Sequence, residues 1–440
     1  MLPAQKVAFH TLGCKLNFTE TSAIARLFTE NGFAKVDFDE EADIYVINTC
    51  SVTDFADKKC RQLVSKIKNR HPSAKIIMTG CYAQLKPKEL ASIPGVTLVL
   101  GANEKFKILD YLQQSSGENY FRQHIKLAKE FYPAYSLGDR TRVFFKVQDG
   151  CDYFCSFCTI PLARGRSRSA TIQDTISIMQ QLEKEEVKEL VLTGVNIGDF
   201  GKQHGETFFE LLQAIAKHIS IPRIRISSIE PNLLTDEMID FLSVNPQFVP
   251  HFHIPLQSGS DKLLQLMRRK YDTDFYAGKI AYLKSKMPDV CIGVDVITGF
   301  PGETDKDFET TFEFLKNLDV AYLHVFTYSE RNNTTAVRME GKVPMHIRKE
   351  RSKILQQLSS QLKSAYYRRF TGKVRPVLFE QENHEGEIHG YSDNYIKIAL
   401  PYDKDLCNKI VPVKISSFDS TSFVSKGEIA KYPLSLKNHV

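Results

Sequence analysis

The chain has 440 residues, too many for one ordinary hydrophobic core, and this length predicts about two to four domains. With 42% apolar and 25% charged residues, its composition is that of a folded globular protein and excludes a low-complexity chain. The net charge of +6 is unevenly distributed, because residues 331–376 contain twelve Lys and Arg against two Glu.

The sequence carries no sign of export or membrane insertion. It has no run of about 18 apolar residues. Its first residues, MLPAQKVAFHTLGC, lack the basic and then apolar pattern of a signal peptide. We therefore expect a cytoplasmic protein that does not bind membranes. Nine cysteines in a large chain of this kind favour metal ligation over a disulfide framework.

Short apolar strands alternate with amphipathic helices from residue 6 to about residue 114. The strands are predicted at 7–11, 44–48, 76–79 and 96–100, and the helices at 17–31, 54–70 and 86–93. This alternation indicates an open, mostly parallel α/β sheet, which we assign to a first domain over residues 1–116. Residues 117–139 break the rhythm and are predicted to be a linker.

Three cysteines of this first domain occupy equivalent positions. Cys14, Cys50 and Cys81 each follow a predicted strand directly. Because the loops beyond the carboxyl ends of parallel strands converge on one crevice, these thiols can meet at a shared metal site. Gly13 and Gly80 permit tight turns beside a bulky ligand. The predicted ligand is a 4Fe–4S cluster with one iron free of protein ligands. The alternative is three unrelated core residues, since free Cys is often buried.

A second α/β series is predicted over residues 140–370. Its strands are expected at 143–148, 190–193, 223–227, 252–254, 292–297 and 322–326, with helices at 171–185, 208–219, 234–245 and 305–318. Six strand-helix repeats suggest a partial (β/α)6 barrel rather than the closed eightfold form.

Cys151, Cys155 and Cys158 stand near the start of this series in the run GCDYFCSFCTIP. Three thiolates on one short loop can hold three irons of a 4Fe–4S cluster, which normally takes four. The fourth iron is then open to a small molecule, and in proteins with the C-x3-C-x2-C spacing that molecule is S-adenosylmethionine. A zinc knuckle is the alternative, but it usually needs a second ligand pair, and none follows Cys158.

After a basic helix predicted at 345–370, the apolar residues of the chain recur with a period of two. Strands are expected at 375–380, 387–391, 395–400, 411–415 and 423–431, which suits a small all-β barrel over residues 371–433. The positive charge concentrated before this barrel indicates a polyanionic partner. An ordinary solvated helix face is the alternative.

Over essentially its whole length, the chain resembles the methylthiotransferases of the radical S-adenosylmethionine superfamily. HTLGCKLNFTET, VINTCSVT and TGCYAQ match the first domain of that family, and VQDGCDYFCSFCTIPLARGRSRS matches its cluster loop. LTGVNIGDFG, RISSIEP, HIPLQSGSD, DVITGFPGETD and HVFTYSERNNTTA match the radical barrel in order. The resemblance is nearest to the branch that acts on threonylcarbamoyladenosine in tRNA, and it is weaker in the C-terminal barrel, which corresponds to the RNA-binding TRAM domain of the family.

The resemblance implies two 4Fe–4S clusters with separate tasks. The cluster on Cys151, Cys155 and Cys158 would cleave S-adenosylmethionine to a radical that abstracts hydrogen from carbon 2 of the adenine ring. The cluster on Cys14, Cys50 and Cys81 would carry the sulfur, which a first S-adenosylmethionine methylates. Both open irons would have to face one cavity, so that proximity and orientation supply the protein's share of catalysis.

The resemblance also implies the residues that bind the cosubstrate S-adenosylmethionine. Phe157 would lie against its adenine, and Glu230 suits a ribose hydroxyl. The full predicted set is Phe157, Thr193, Gly194, Asn196, Ser228, Glu230, Gln257, Ser258, Asp295 and Phe326. Each of these could instead be a packing or capping residue of the barrel, since position at a strand end is the main argument for them.

The implied macromolecular partner is the anticodon stem-loop of a tRNA. Phosphate contacts are predicted for Arg164, Arg166, Arg168, Arg348, Lys349, Arg351, Arg368 and Arg369. Because the chain has no Trp, base stacking would fall to other residues, and Tyr391 and Tyr395 are candidates unless they belong to the barrel core. The reaction would also need an external electron donor and an external sulfur source.

Several alternatives share part of this pattern. The same chemistry could act on isopentenyladenosine in tRNA or on an aspartate of a ribosomal protein. A radical enzyme that consumes its second cluster as the sulfur source would use the same cysteines without forming a methylated product. A non-enzymatic iron–sulfur protein that binds RNA and senses redox state would leave the barrel motifs without a task.

Overall fold

A computed structural model describes residues 4–50, 54–114, 119–138 and 140–430, and it describes the side chains of all of these except residues 54–58. No helix in these ranges is long and apolar enough to cross a membrane. Three bodies follow one another along the chain, which we call the N-terminal sheet, the central barrel and the C-terminal barrel.

The N-terminal sheet has six strands that all pair in parallel, in the order β2-β1-β3-β4-β5-β6. Its strands are β1 (Lys6–Thr11), β2 (Ala34–Val36), β3 (Ile44–Thr49), β4 (Lys75–Gly80), β5 (Leu98–Leu100) and β6 (Tyr120–Phe121). Its helices are α1 (Lys15–Glu30), α2 (Asp54–Arg70), α3 (Cys81–Leu85), α4 (Pro87–Ala91) and α5 (Ile108–Gln113). Every residue of β3 is buried, as expected for a parallel strand that is covered on both faces.

Two details differ from the sequence-based prediction. The helix expected at 86–93 is the shorter helix α4, which begins at Pro87, and an additional short helix, α3, precedes it directly after β4. The stretch expected to be a linker supplies β6 to the N-terminal sheet and a further short strand, β7 (Ala134–Tyr135), to the central barrel.

The central barrel follows, and most of its strands pair in parallel. Its strands after β7 are β8 (Arg142–Lys146), β9 (Gln148–Asp149), β10 (Arg168–Ser169), β11 (Glu189–Thr193), β12 (Arg223–Ile226), β13 (His251–His253), β14 (Cys291–Thr298) and β15 (Tyr322–Thr327). Its helices are α6 (Ile160–Arg164), α7 (Ile172–Lys184), α8 (Phe208–His218), α9 (Asp236–Val244), α10 (Asp261–Leu266), α11 (Thr273–Lys286), α12 (Asp305–Asn317) and α13 (Met345–Arg368).

Six of these strands form the predicted partial barrel. They run in parallel in the order β8, β11, β12, β13, β14, β15, and single bridges such as Ser228 with His253 join β12 to β13. Among the described strands, β15 pairs only with β14, so the barrel is open between β15 and β8. The expectation of a partial barrel is confirmed.

The C-terminal barrel is closed and contains the five predicted strands, in the order β16-β17-β18-β20-β19. They are β16 (Val374–His384), β17 (Glu387–Ser392), β18 (Lys397–Pro401), β19 (Ile410–Asp419) and β20 (Val424–Ile429), and the last residues predicted for this region, from 431, lie outside the described ranges. The end of α13 is part of the same core, because Tyr366, Tyr367 and Phe370 pack among the buried residues of the barrel. The basic helix therefore connects the two barrels rigidly.

Candidate active site

The loop between β9 and α6 holds Cys151, Cys155 and Cys158, which we call the loop trio. Its turns are fixed by its own backbone: Tyr153 N donates to Cys151 Sγ at 3.5 Å, and Ile160 N donates to Cys158 Sγ at 3.4 Å. Burial, together with the nearby Cys155, raises the pKa of the Cys151 thiol to about 12. Burial likewise raises the pKa of Cys155 and Cys158.

This arrangement fits a 4Fe–4S cluster. Three thiols lie close enough to influence one another electrostatically, and backbone amides already point at two of the sulfurs. Such N–H···S bonds tune the potential of an iron–sulfur centre. Buried thiols with raised pKa values lose their protons when they ligate metal, so cluster binding and the order of this loop are linked.

A cavity of about 230 Å³ opens beside the loop trio, and we call it the cluster-loop cavity. The structure brings four of the ten predicted cosubstrate residues to this neighbourhood: Phe157, Gln257, Asp295 and Phe326 line the cavity together with Cys158. Gln257 has a φ of +76°, and its backbone is held by Val296 of β14 in a parallel bridge.

The remaining predicted cosubstrate residues do not line this cavity. Thr193, Gly194 and Asn196 follow β11, where Gln148 Oε1 accepts from the backbone of Asn196 at 2.9 Å. The Asn196 side chain is buried, and its Oδ1 has no hydrogen-bond partner among the described residues, so it offers an acceptor for a ligand. Ser258 is buried as well, and its Oγ lies 3.2 Å from Thr311 Oγ1 of α12, which makes it a packing residue.

Ser228 and Glu230 lie beyond the end of β12. The backbone of Ser228 pairs with His253 of β13. The Glu230 carboxylate forms an ion pair with Arg269. Burial raises the pKa of Glu230, and the Arg269 charge opposes this.

Arg269 contacts the loop trio, and the sequence did not single it out as a candidate. It follows α10, pairs with Glu230, and donates through Nη1 to Cys155 Sγ at 3.1 Å. Its Nε donates to Tyr271 Oη at 2.9 Å. Nothing in its local sequence, MRRKYD, distinguishes it from the other basic residues, because its partners are 39 and 114 positions away.

Cys14, Cys50 and Cys81, the N-terminal trio, are brought to one edge of the N-terminal sheet. Cys14 precedes α1, Cys50 follows β3, and Cys81 begins α3 directly after β4. Gly13 has a φ of +104°, and a Cβ there would lie 2.9 Å from Cys50 Sγ, so only glycine fits this approach. Burial raises the pKa of Cys81, and both Arg164 and Cys14 act on it electrostatically.

A buried network of charges separates the two trios. Glu20 of α1 accepts from three cations: Lys105 at 2.6 Å, Lys146 at 3.1 Å and Arg164 at 3.0 Å. Arg164 also pairs with Asp149 at 2.9 Å. Burial would raise the pKa of Glu20, but Arg164, Lys105 and Lys146 hold it well below its usual value. The network joins the N-terminal sheet to the cluster loop.

Four of the eight predicted RNA-binding residues are therefore reassigned. Arg164 and Arg168 are buried, and Arg168 pairs with Asp149 at 3.1 Å. Arg348 and Arg351 are also buried; Arg348 donates to Tyr328 O at 3.0 Å, and Arg351 pairs with Asp305 at 2.6 Å. A guanidinium that is buried and satisfied by protein oxygens is not presented to a phosphate, so the structure does not support the predicted phosphate contact for these four.

The other four predicted phosphate contacts are exposed. Arg166 is 73% exposed at the mouth of the cluster loop, where it lies over the Phe154 ring. Lys349, Arg368 and Arg369 lie on the solvent side of α13, and Arg369 pairs with Asp319 at 2.9 Å.

Tyr391 and Tyr395, the predicted stacking residues, line a second cavity of about 440 Å³, which we call the interdomain cavity. The Tyr395 ring stacks on His251 of the central barrel at a centroid distance of 4.2 Å. Tyr391 stacks on the other side of Tyr395 at 5.1 Å. The two tyrosines thus join the two barrels and are not confined to the core of either.

Comparison with known proteins gives three consecutive family matches. These are Uncharacterized protein family UPF0004 over residues 6–101, the Radical SAM superfamily over residues 145–315 and the TRAM domain over residues 368–430. The chain is 42% identical to a threonylcarbamoyladenosine tRNA methylthiotransferase of Bacillus subtilis, with 93% of each chain covered. It is 30% identical to a tRNA-2-methylthio-N(6)-dimethylallyladenosine synthase of Aquifex aeolicus, with 97% of this chain and 99% of that protein covered.

Solved structures agree with this fold. The radical S-adenosylmethionine methyltransferase TsrM of Kitasatospora setae, determined with cobalamin and a 4Fe–4S cluster, matches with a TM-score of 0.56 at 13% identity. The match covers 76% of this chain and 77% of that one. At this identity the likeness concerns the fold alone.

Proposed function

The chain belongs to the methylthiotransferase family of radical S-adenosylmethionine enzymes that modify tRNA, and from this premise we propose its substrate and its cofactor content. The substrate we propose is threonylcarbamoyladenosine next to the anticodon, and the product carries a methylthio group at carbon 2 of the adenine ring. The identity of 34–42% to four relatives named for this substrate supports the assignment.

We infer that the chain holds two 4Fe–4S clusters, one on the loop trio and one on the N-terminal trio. The observation that carries this proposal is Arg164, which closes the helix after the cluster loop and interacts electrostatically with Cys14 and Cys81. Both trios therefore adjoin the same buried network. When bound, these groups supply reductive cleavage of S-adenosylmethionine at the loop trio and sulfur donation at the N-terminal trio.

The protein's own residues position and shield the reactants. Phe157 and Phe326 give the cluster-loop cavity apolar walls that exclude water from the reacting atoms. Asn196 Oδ1 is free to accept from the ammonium group of the cosubstrate. Arg166, Lys349, Arg368 and Arg369 are the exposed cations that we assign to the anticodon stem-loop. An electron donor and a sulfur source must come from other molecules.

Counting iron and sulfide tests the cofactor proposal. Wild-type protein reconstituted without oxygen should hold about eight irons per chain, and a Cys14→Ala/Cys50→Ala/Cys81→Ala variant should hold about four. A Cys60→Ala variant is the matched control, since Cys60 lies within α2 and is buried in the core of the N-terminal sheet. About four irons in the wild type would refute the second cluster.

Nucleoside mass spectrometry tests the substrate proposal. A strain that lacks the gene should contain threonylcarbamoyladenosine without its methylthio group, and the wild-type gene should restore the modification. Unchanged methylthiolation of threonylcarbamoyladenosine, together with loss of methylthio-dimethylallyladenosine, would reject our substrate and favour the other tRNA branch of the family.

A further inference from the structure

The interdomain cavity lies where all three bodies of the chain meet. It is lined by Lys15 of α1, by His251 and Tyr322 of the central barrel, and by Tyr395 and Lys397 from the C-terminal barrel. None of the residues that we assign to the clusters or to the cosubstrate lines this cavity.

Its position places it beside both cysteine trios. Lys15 is covalently bonded to Cys14 of the N-terminal trio. On the opposite side, His253 lines the interdomain cavity, and its Nε2 lies 2.7 Å from Asp295 Oδ1, which lines the cluster-loop cavity. A base held between the two trios would therefore have this cavity within reach of its substituents.

Three lysines make the wall of the cavity positively charged. Lys15, Lys363 and Lys397 line it, and none of its lining residues is Asp or Glu. None of the three lysines forms a salt bridge with an acidic residue in the described ranges. Burial lowers the pKa of Lys363, as expected for an ammonium group that is held away from water without an acidic partner.

The pKa of Tyr395, in the wall of the cavity, reflects the same positive charge. Burial alone would raise the pKa of the Tyr395 phenol, but Arg142, Lys15 and Arg225 lower it below its usual value. Arg142 and Arg225 lie over the tyrosine pair, Arg142 at 4.3 Å from the Tyr391 ring centroid and Arg225 at 5.0 Å from that of Tyr395. Cations that are held against the aromatic side chains of the cavity wall suit a ligand group that bears a negative charge.

We propose that the interdomain cavity receives the substituent on the exocyclic nitrogen of the modified adenosine and binds its carboxylate through Lys15, Lys363 and Lys397. This inference rests on the proposed function and deepens it by naming the residues that distinguish the substrate. A threonylcarbamoyl group brings a carboxylate to three unpaired ammonium groups. A dimethylallyl group brings none and would leave those charges desolvated without a partner, which is unfavourable.

Binding measurements on the full-length protein test this directly. Three synthetic anticodon stem-loops are needed: one with threonylcarbamoyladenosine, one with its neutral carboxamide analogue and one with dimethylallyladenosine. Wild-type protein should bind the carboxylate form on the order of ten-fold more tightly than either neutral form, as a charge-assisted contact predicts. In Lys363→Gln and Lys397→Gln variants this ratio should fall toward one.

Controls separate the cavity from general RNA affinity. Lys353→Gln removes an exposed lysine from the same helix as Lys363 and should keep the wild-type ratio. Lys363→Arg retains the charge and should keep a preference for the carboxylate. Each ratio compares RNAs that bind to the same protein preparation. Partial unfolding of a variant therefore lowers both apparent affinities by the same factor and does not change their ratio.

Two results would overturn the inference: a wild-type ratio near one, or an unchanged ratio in both lysine-to-glutamine variants. The proposed function fails in a different way. Wild-type protein that cleaves S-adenosylmethionine but methylthiolates none of the three RNAs would reject the proposed function, while the binding ratios would still report on the cavity.

Discussion

The buried side chain of Arg164 connects two parts of this protein. Its guanidinium contacts Glu20, Asp149 and Asn17, and so it ties the cluster loop to the N-terminal sheet. In the sequence, LARGRSRS presents three arginines at alternate positions. Only Arg166 remains exposed, whereas the two flanking residues are turned inward by partners that are distant in the sequence.

Glu20 is the acid on which this network depends, and its removal should destabilise the whole fold. Glu20→Gln leaves Lys105, Lys146 and Arg164 buried with one acid fewer, which typically costs about 3–5 kcal/mol in the free energy of unfolding. Urea denaturation at neutral pH measures this. Glu313→Gln, which removes an exposed partner of Lys316, should have little effect.

The same carboxylate predicts a pH dependence. Because the pKa of Glu20 is held well below its usual value in the folded state, its contribution is fully present above the unfolded-state pKa of about 4.3. The contribution is lost as the pH falls from there through the lowered folded-state pKa. The stability difference between wild type and Glu20→Gln should shrink over that acidic range, and a difference that stays constant would contradict the network.

Arg269 should set the redox potential of the loop cluster. Its N–H bond to Cys155 Sγ stabilises the more negative, reduced state, so Arg269→Met combined with Glu230→Gln should shift the potential to a more negative value. A redox titration followed by electron paramagnetic resonance, in a background without the N-terminal trio, measures the shift. Arg268→Met is the neighbouring control, because Arg268 is exposed, and an equal shift in both would argue against the hydrogen bond.

At the scale of elements, the spacing of residues along helix α13 already distinguished its buried basic residues from its exposed ones. Arg348, Arg351, Leu355 and Leu358 are spaced by three or four positions and are all buried on one face. With that spacing, the two arginines lie in the same stripe along the helix as the two buried leucines. Lys349 and Arg368 lie outside the stripe and are exposed.

This division predicts two kinds of variant within one helix. Lys349→Gln and Arg368→Gln should each reduce the salt dependence of tRNA binding, lowering the slope of log K against log salt by roughly 0.7–0.9 per lost phosphate contact. Arg351→Gln should instead reduce stability, because it leaves Glu303 buried without its cation. Filter binding over a salt series and thermal unfolding separate the two effects. A Lys349 variant with an unchanged slope would remove that residue from the RNA surface.

Sequence periodicity predicted the elements better than it predicted their contacts. Strand-end cysteines could be grouped in advance, because the parallel sheet brings its carboxyl ends to one edge. Arg269 and Glu20 could not be found, since their partners come from other elements and neither belongs to a repeated spacing. The start of α4 at Pro87 was readable from the proline itself, whereas the preceding short helix α3 was not predicted. The domain boundaries and the roles of the site residues stay predictions.

At the scale of the whole molecule, buried charges also join the two barrels. Glu189 of β11 pairs with Arg225 at 2.7 Å and with Arg223 at 3.5 Å. These arginines then donate to carbonyls of the C-terminal barrel, Arg223 to Tyr391 O at 3.1 Å and Arg225 to Asp393 O at 3.1 Å. One carboxylate of the central barrel therefore holds two of the arginines that contact the C-terminal barrel.

Glu189→Gln should loosen this junction at neutral pH and lose about 3–5 kcal/mol of stability. Burial would raise the pKa of Glu189, but Arg225, Arg223 and Arg142 lower it to about 2. The stabilisation is thus present above about pH 4.3 and lost as the pH falls toward 2, and the difference between wild type and variant should vanish over that window. Hydrogen exchange at neutral pH should find faster exchange in β17 of the variant. Unchanged exchange there would mean that the barrel is held by other contacts.

The unpaired sides of β7 and β15 leave the central barrel with a lateral seam, which α1 and the C-terminal barrel flank. A long polymer can enter such a seam sideways and present one nucleotide without being threaded along an axis. The parts that recognise the polymer and the parts that hold the reactive groups then lie on separate segments of the chain. Substitutions in the flanking segments can therefore change the substrate of such an enzyme while the residues that hold its reactive groups stay the same.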